Sequence, residues 1–344
     1  MNETPPPPPS KRIAELIQTI KESADKLADD KTSRGDLKII SRTLRELRYA
    51  FKVFSPYRRS RKVTMFGSAR TTPDQPAYGQ AAEFGRQMAA HGWLVVTGAA
   101  SGIMEAGHVG AGREHSMGLN ILLPFEQATN PIITGDRKLV YMKYFFTRKL
   151  MFVKESDAFC LMPGGFGTLD EGLEVLTLLQ TGKHDMMPVV LLDEPHGSYW
   201  TAFDQFVRDQ LLDRGMIGVE DMSLYRQTNR VEEAVEEVLR FYSVYHSMRY
   251  VRTNLVFRLQ RPPSEALLAE INDRFQDILL RGRFAVSGPL PEEREESELS
   301  ALPRLVFAFD RRSFGRLRQL IDCINHGAVD HVSDARDLGA EAGG

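Results

Sequence analysis

The chain has 344 residues, with 44 Lys plus Arg against 46 Asp plus Glu and a formal net charge of −2. Hydrophobic residues make up 42% and charged residues 26%, ordinary globular composition, and a length above about 250 residues predicts more than one folding unit. The near-neutral balance argues against holding nucleic acid by bulk electrostatics, no run reaches the roughly 18 apolar residues of a membrane span, and Cys160 and Cys323 form no metal-type spacing.

Pro5 to Pro9 predict a solvated polyproline-like tail over residues 1–10, with a ligand for a proline-recognising domain as the alternative. The tail has no apolar core and is no signal peptide, which with the two distant cysteines indicates a cytoplasmic protein in a reducing setting. Two helices are expected within residues 11–58. Ile13, Leu16, Ile17, Ile20, Ala24 and Leu27 repeat at helical spacing, as do Leu37, Ile40, Leu44, Leu47, Phe51 and Phe54 after a break near Ser33 and Gly35. One apolar stripe on each predicts a helical hairpin that packs onto a larger body or across a dimer.

Over residues 60–246, short apolar runs alternate with helical stretches. The runs are Val63–Phe66, Leu94–Thr97, Gly118–Leu123, Ala158–Met162 and Val189–Leu192. Between them lie Gln80–His91, Gly102–Gly112, Phe145–Lys154, Gly167–Leu179 and Tyr199–Leu212, with a closing helix Val231–Tyr245. Near-continuous apolar strands alternating with helices predict an α/β fold, a doubly wound, Rossmann-like parallel sheet covered on both faces. Residues 250–326 read as a strand Tyr250–Leu259, a helix opened by Pro262 and Pro263, an apolar stretch Arg283–Ser287, a solvated acidic loop Glu292–Glu298, a strand Leu305–Phe309 and a helix Phe314–Ile324. That βαββα order suggests a small α+β domain of ferredoxin-like type, with a frayed tail over 327–344.

The strongest local signal is Pro163-Gly164-Gly165-Phe166-Gly167-Thr168-Leu169-Asp170-Glu171, set between an apolar run and a helix. Glycines let a backbone approach an anion, Thr168 can offer a hydroxyl and an N-cap, and a helix start carries free N–H groups and partial positive charge. It has neither the Gly-Lys-Ser/Thr ending of an ATP-binding loop nor the Gly-x-Gly-x-x-Gly of dinucleotide sites. On the residues alone, a phosphate cradle and a tight, well-capped turn explain it equally. Two features tip the balance. Glu171 stands in the first turn, where its charge would repel a phosphate unless it has work of its own. Arg148-Lys149 lies in the helix before the strand that feeds the loop, and ligands of doubly wound sheets bind where such loops and helix starts converge.

At this point the sequence resembles a known family. The segment from Arg148-Lys149 to the Pro163–Glu171 motif, with Arg148 and Glu171 23 positions apart, is similar to the signature of the LOG ("lonely guy") phosphoribohydrolases, once mislabelled lysine decarboxylases. Phe66-Gly67-Ser68-Ala69-Arg70, Gly102-Ile103-Met104-Glu105-Ala106, Gly118-Leu119-Asn120-Ile121, Leu123-Pro124-Phe125-Glu126-Gln127 and Leu176-Thr177-Leu178-Leu179-Gln180-Thr181-Gly182-Lys183 agree with it. The resemblance covers residues 60–245, is closest to the longer bacterial branch, and leaves the hairpin and the C-terminal domain outside.

The resemblance implies hydrolysis of a nucleoside 5′-monophosphate, AMP or a cytokinin riboside 5′-monophosphate, to free base and ribose 5-phosphate. Arg148 and Glu171 take the catalytic roles. Gly164, Gly165, Phe166, Gly167 and Thr168 would hold the phosphate; Glu126, Lys149 and Thr177 match ligand-contacting positions, and Gly67, Ser68, Gly98, Met104 and Asp170 complete the substrate-binding set. No metal and no cofactor are implied. The chemistry suits the residues: cleavage of an N-glycosidic bond develops positive charge on the ribose, which a carboxylate can stabilise, and Arg148 can hold Glu171 ionised and oriented. A homodimer or larger homo-oligomer is also expected, with its interface beside the site. Phe145, Phe146, Leu150, Met151, Phe152, Leu173, Val175, Leu176, Leu178 and Leu179 exceed what one sheet face needs to cover it. The alternative is that the N-terminal hairpin covers this surplus.

One departure stands out. Thr97-Gly98-Ala99-Ala100-Ser101-Gly102 replaces the family's Thr-Gly-Gly-Gly-Pro-Gly turn, and a positive φ at Ala99 or Ala100 would strain it. Gly172 is also costly in an early helix turn and is expected to relieve a close contact with a helix or a subunit. A non-catalytic nucleotide sensor, signalling through the C-terminal domain, remains the competing function, whereas amino-acid decarboxylation lacks a PLP-lysine context. His91, His108, His115, His184 and His196 have no ligand spacing and are assigned surface or capping roles. Tyr199-Trp200 is read as a helix-start packing pair, and an anion contact and a solvated helix start explain Arg311-Arg312 equally well.

Overall fold

A computed structural model describes residues 11–123, 128–293 and 296–326, so the terminal tails and Glu126 lie outside the described residues. The chain divides between Lys52 and Val53 into two compact units. The first holds the two expected helices, α1 (Lys11–Asp29) and most of α2 (Arg34–Phe54). The break between them is chemical: Ser33 Oγ accepts the Asp36 N–H at 3.2 Å and donates to the Asp36 carboxylate at 2.7 Å, a reciprocal cap that starts α2. Ile13, Leu16, Ile17 and Ile20 of α1 and Leu37, Ile40 and Leu44 of α2 are exposed.

The second unit holds two sheets. The larger has seven strands, β1 (Lys62–Phe66), β2 (Leu94–Thr97), β3 (Ser116–Ile121), β4 (Leu139–Met142), β5 (Ala158–Leu161), β6 (Val189–Leu192) and β7 (Arg226–Thr228). They are all parallel, in the order β4-β3-β2-β1-β5-β6-β7. Helices α3 (Pro76–Ala90), α4 (Ile103–His115), α5 (Phe145–Glu155), α6 (Phe166–Gln180), α7 (Tyr199–Phe206) and α8 (Val231–Phe241) are interleaved with them. β1, β2, β5 and β6 are buried along their whole length, as their apolar runs require. Sequence pattern missed β4 and β7: the first is not buried throughout, Tyr141 being exposed, and the second reads Arg-Gln-Thr and is a strand only because it pairs with Val190–Leu192.

The second sheet is antiparallel, β10-β11-β9-β8, built from β8 (Tyr245–Val251), β9 (Asn254–Leu259), β10 (Leu279–Ser287) and β11 (Arg304–Phe309), with α9 (Glu265–Arg274) and α10 (Phe314–His326). From β9 onward this is the expected βαββα unit, and β8 takes the outer place that a strand after α10 would otherwise fill. Four sequence expectations change here. The single strand Tyr250–Leu259 is a hairpin that turns at Arg252, where φ is +55°, because alternation continues unbroken through both arms. The helix expected to reach Tyr245 stops at Phe241, since Tyr245 is fully buried against Phe257 in the second sheet. The acidic stretch is not simply solvated: Glu293 is buried, accepting from Arg258 Nε and Arg304 Nε at 2.9 Å each. Ser264, not the prolines before it, caps α9 by accepting the Leu267 N–H. No helix among the described residues is long and apolar enough to cross a membrane.

Candidate active site

Strand order reverses between β1 and β5: β2, β3 and β4 lie on one side of them, β6 and β7 on the other. Loops leaving two such neighbouring strands diverge and open a crevice at their C-terminal ends. A cavity of about 610 Å³ occupies that crevice, lined by Phe66–Arg70 after β1, Gly98, Ala100 and Met104 after β2, Asn120, Ile121 and Leu123 at the end of β3, Phe145 and Arg148 of α5, and Gly165–Thr168 after β5. Ser68 N–H donates to Pro163 O at 3.0 Å and Ile103 N–H to Ser68 O at 3.0 Å, so the three loops are tied to one another by backbone. Gly102 makes the last contact possible. Its φ is +69°, and a Cβ there would lie 2.2 Å from Ser68 O.

The glycine loop enters α6 through Gly165, which is the N-cap; Thr168 is three residues into the helix and makes no cap bond. This corrects the capping role expected for Thr168. Its buried side chain packs on Gly164 instead, where a Cβ would meet Thr168 Oγ1 at 2.2 Å. At Gly165 and Gly167 a Cβ would meet nothing within 4 Å, because both face the cavity. The α6 start therefore presents backbone N–H groups to open space, with Phe166 93% exposed between the two glycines. Tyr199 OH donates to Gly164 O at 2.7 Å and so anchors the loop, a role that the packing-pair reading missed. Tyr199→Phe is expected to loosen the loop, and hydrogen exchange across residues 163–167 should quicken about threefold.

Arg148 reaches the cavity from α5, with its guanidinium carbon 5.1 Å from the Phe145 ring centre and 5.6 Å from that of Phe152. Its Nε is buried with no hydrogen-bond partner. Behind it, Nη2 stands 3.5 Å from Glu171 Oε1, an ion pair too long to count as a good hydrogen bond. Glu171 is only 2% exposed. Burial pushes its carboxyl up to about 7, and the opposing pull of Arg148 and then Lys149 does not cancel that rise. Arg148 thus orients Glu171 without holding it fully ionised, which modifies the expectation from sequence. The carboxyl is poised to gain or lose a proton near neutrality. Gly172, one residue on, is glycine because α6 lies close on β5: a Cβ would sit 2.7 Å from Leu161 Cδ1. The close contact is with the sheet and not with another helix.

The Thr97–Gly102 turn carries the predicted strain. Ala99 has φ +58° and is fully buried, with its methyl beside Ile133 and Leu139 in space that Gly118 leaves open. The left-handed backbone costs about 1–2 kcal/mol, and burying one methyl returns about 0.8 kcal/mol. Hydrogen bonds cover the difference. Asn130 N–H donates to Ala99 O at 2.9 Å, Asn120 Nδ2 to Gly98 O at 3.1 Å, and Ala99 N–H to Thr97 Oγ1 at 2.9 Å. His108 is fully buried against Thr97 and Asn130, so it is neither a surface nor a capping residue. Desolvation pulls its imidazole down to about 4, and it stays neutral.

Of the residues expected at the site, Gly67, Ser68, Gly98, Met104, Arg148, Gly165, Phe166, Gly167 and Thr168 line the cavity, with Gly164 and Glu171 directly behind the wall. Lys149, Asp170 and Thr177 do not line it. Lys149 Nζ pairs with Asp170 at 2.9 Å and Glu174 at 3.0 Å, and Thr177 bonds back to Leu173 O along α6. Arg70, Asn120 and Phe145 line the cavity without having been expected there. Each follows or ends a strand at the crevice, or opens a helix there, which is the positional signal that could have found them. Among the described residues no group of three or more His, Cys, Asp and Glu side chains is placed to hold a metal ion.

A family model described as "Possible lysine decarboxylase" matches residues 97–238. The chain is 35% identical over 114 residues to the cytokinin riboside 5′-monophosphate phosphoribohydrolase LOG4 of Arabidopsis thaliana, covering 33% of this chain and 50% of that protein. It is 31% identical over 195 residues to the probable cytokinin riboside 5′-monophosphate phosphoribohydrolase LOGL2 of Oryza sativa subsp. japonica, covering 55% of this chain and 75% of that protein. The chain thus spans about half the length of the Arabidopsis relative. Among solved structures, the molybdenum cofactor binding protein of Rippkaea orientalis is 20% identical with a TM-score of 0.38, covering 52% of this chain and 94% of that one. With the rice relative matched over three quarters of its length and the signature residues gathered at one crevice, the chain belongs to the LOG family.

Proposed function

We propose that the protein hydrolyses a nucleoside 5′-monophosphate at its N-glycosidic bond, releasing free base and ribose 5-phosphate, with AMP or a cytokinin riboside 5′-monophosphate as substrate. The observation that carries this reading is the pairing of a helix start with open glycine faces and a buried Arg148–Glu171 pair on the same cavity. The 5′-phosphate sits on the α6 N–H groups and meets Arg70 and Arg148. The base lies toward Met104 and Asn120. Drawn to the phosphate, Arg148 moves off its loose pair with Glu171 and uncovers the carboxylate. Glu171 then stabilises the positive charge that grows on the ribose as the bond to the base breaks, and takes a proton from the attacking water. Water supplies the hydroxyl to the anomeric carbon; the base leaves with its bonding electron pair and is protonated.

The burial of Glu171 behind Arg148 also favours a second reading, a sensor that binds nucleotide without turnover. Incubation of the pure protein with AMP, GMP, CMP, UMP and isoprenylated AMP, with free base as the readout, separates the two. Base release supports the hydrolase; binding of a nucleotide with no release supports the sensor.

We infer a homodimer or larger homo-oligomer whose interface adjoins the site. Met151, Phe152, Val175 and Leu179 are buried in the chain, whereas Phe145, Phe146, Leu150 and Leu173 stay about half exposed next to the fully exposed Phe166. Such a patch on neighbouring helices needs cover. Light scattering at micromolar concentration is expected to give at least a dimer, and Leu150→Glu is expected to dissociate it. A monomeric full-length protein refutes the interface. The free thiols Cys160 and Cys323 suit a reducing, cytoplasmic setting.

A further inference from the structure

Five non-glycine residues among those described have left-handed φ: Lys31, Ala99, His196, Arg252 and Arg311. Four are exposed, as turn residues usually are, and only Ala99 is buried. A strained backbone inside a protein persists only where its surroundings over-determine it, and such positions gather at functional sites. Besides the apolar contacts of the Ala99 methyl, the turn is surrounded by buried polar side chains from elsewhere in the chain, among them His108 of α4 and Asn130.

Their hydrogen bonds can be assigned atom by atom. His108 Nε2 lies 3.0 Å from Met117 O, which can only accept, so Nε2 carries the proton and Nδ1 is the acceptor. Asn130 Nδ2 lies 3.2 Å from that Nδ1 and 3.2 Å from Ala100 O, so its two amide hydrogens serve both. The same Nε2 is 3.1 Å from Thr97 Oγ1, which accepts the Ala99 N–H. Asn130 also gives its backbone N–H to Ala99 O. The Ala99 N–H, the Ala99 carbonyl and the Ala100 carbonyl are thereby all held.

The turn so held forms cavity wall. Gly98 and Ala100 line it, and the point where a Gly98 Cβ would stand is 2.9 Å from Met104 Sδ and 3.8 Å from Arg148 Nη1. A shift of the turn therefore presses on the side chain that pairs with Glu171. We propose that His108 and Asn130 are positioning residues: they hold Ala99 left-handed and so fix Gly98 and Ala100 against Met104 and Arg148, setting how the nucleotide sits in the cavity. The inference rests on the nucleotide-binding reading above, but its mechanical half does not.

Asn130→Ala removes both amide donors and tests it. Hydrogen exchange in the segment 97–102 is expected to quicken at least about tenfold, and the Kd for AMP to rise about tenfold. Adding Ala99→Gly, which removes the strain that the network restrains, is expected to bring both back to within about threefold of wild type. A merely structural role would lower Tm in the single and double variants alike, with no rescue. Unchanged exchange at 97–102 in Asn130→Ala, or failure of Ala99→Gly to restore it, overturns the proposal. If Asn130→Ala does not fold, Thr97→Val, nearly isosteric and lacking the hydroxyl, is read the same way. If the wild type binds no nucleotide, the functional reading fails, and exchange alone still decides whether the network holds the turn.

Discussion

Glu171→Gln is expected to lower kcat for base release by about 10²–10⁴-fold, the usual contribution of a positioned acid or base, while AMP binding changes little. The carboxylate is assigned to charge that exists only in the transition state, so its loss should fall on turnover. Because burial pushes the Glu171 carboxyl up to about 7, wild-type kcat/KM should climb tenfold per pH unit below that value and level off above it. An amide cannot titrate, so whatever activity the variant retains should lack that limb. A variant that keeps most of its turnover removes Glu171 from the mechanism.

The same substitution should stabilise the fold, and the sign follows from linkage. The folded-state value of about 7 lies above the ordinary 4.5, so between those pH values the folded protein binds more protons than the unfolded chain, and stability falls as pH rises across that window. At pH 8 the buried, ionised carboxylate costs on the order of 3 kcal/mol, at about 1.4 kcal/mol per pH unit. Gln carries no such cost. Tm of Glu171→Gln should exceed that of wild type at pH 8 by at least about 3 °C, and the gap should close near pH 5, where both side chains are neutral. A site that is more stable without its own carboxylate is keeping that group for chemistry.

What the sequence conveyed, and what it did not, follows from range. The parallel strands were legible because β1, β2, β5 and β6 are buried on both faces, which leaves continuous apolar runs. β7 was not, because Arg226, Gln227 and Thr228 become a strand only through pairing with β6. The crevice residues were legible wherever a local motif carries them, as at Arg148 and Pro163–Glu171. His108 was not, since no local pattern says that a histidine on α4 will meet Asn130 and Thr97 in the interior. Lys149 shows the converse: it adjoins Arg148 in sequence but points to Asp170 and Glu174, because successive helix residues face about 100° apart.

The two readings of the glycine loop can be separated by experiment, because its glycines differ in what they need. Gly164 is required by the fold: a methyl there would meet Thr168 Oγ1 at 2.2 Å and the Gly67 carbonyl carbon at 3.1 Å. Gly167 is not. A methyl there meets nothing within 4 Å, its φ is outside the left-handed region, and it occupies α6, where Ala is preferred over Gly by up to about 1 kcal/mol. If the loop were only a tight, well-capped turn, Gly167→Ala should stabilise the protein and do nothing else. If it cradles phosphate, the methyl enters the space the anion uses. We expect Tm of Gly167→Ala to match or exceed wild type, while the Kd for AMP rises about 10- to 100-fold, equivalent to about 1.4–2.8 kcal/mol. Adenosine, which lacks the phosphate, should bind the variant and the wild type alike. Equal weakening for AMP and adenosine would move the contact from the phosphate to the nucleoside, and no weakening for either would return the loop to its structural reading. The paired outcome, a helix improved and an anion lost, is one that a capped turn cannot produce.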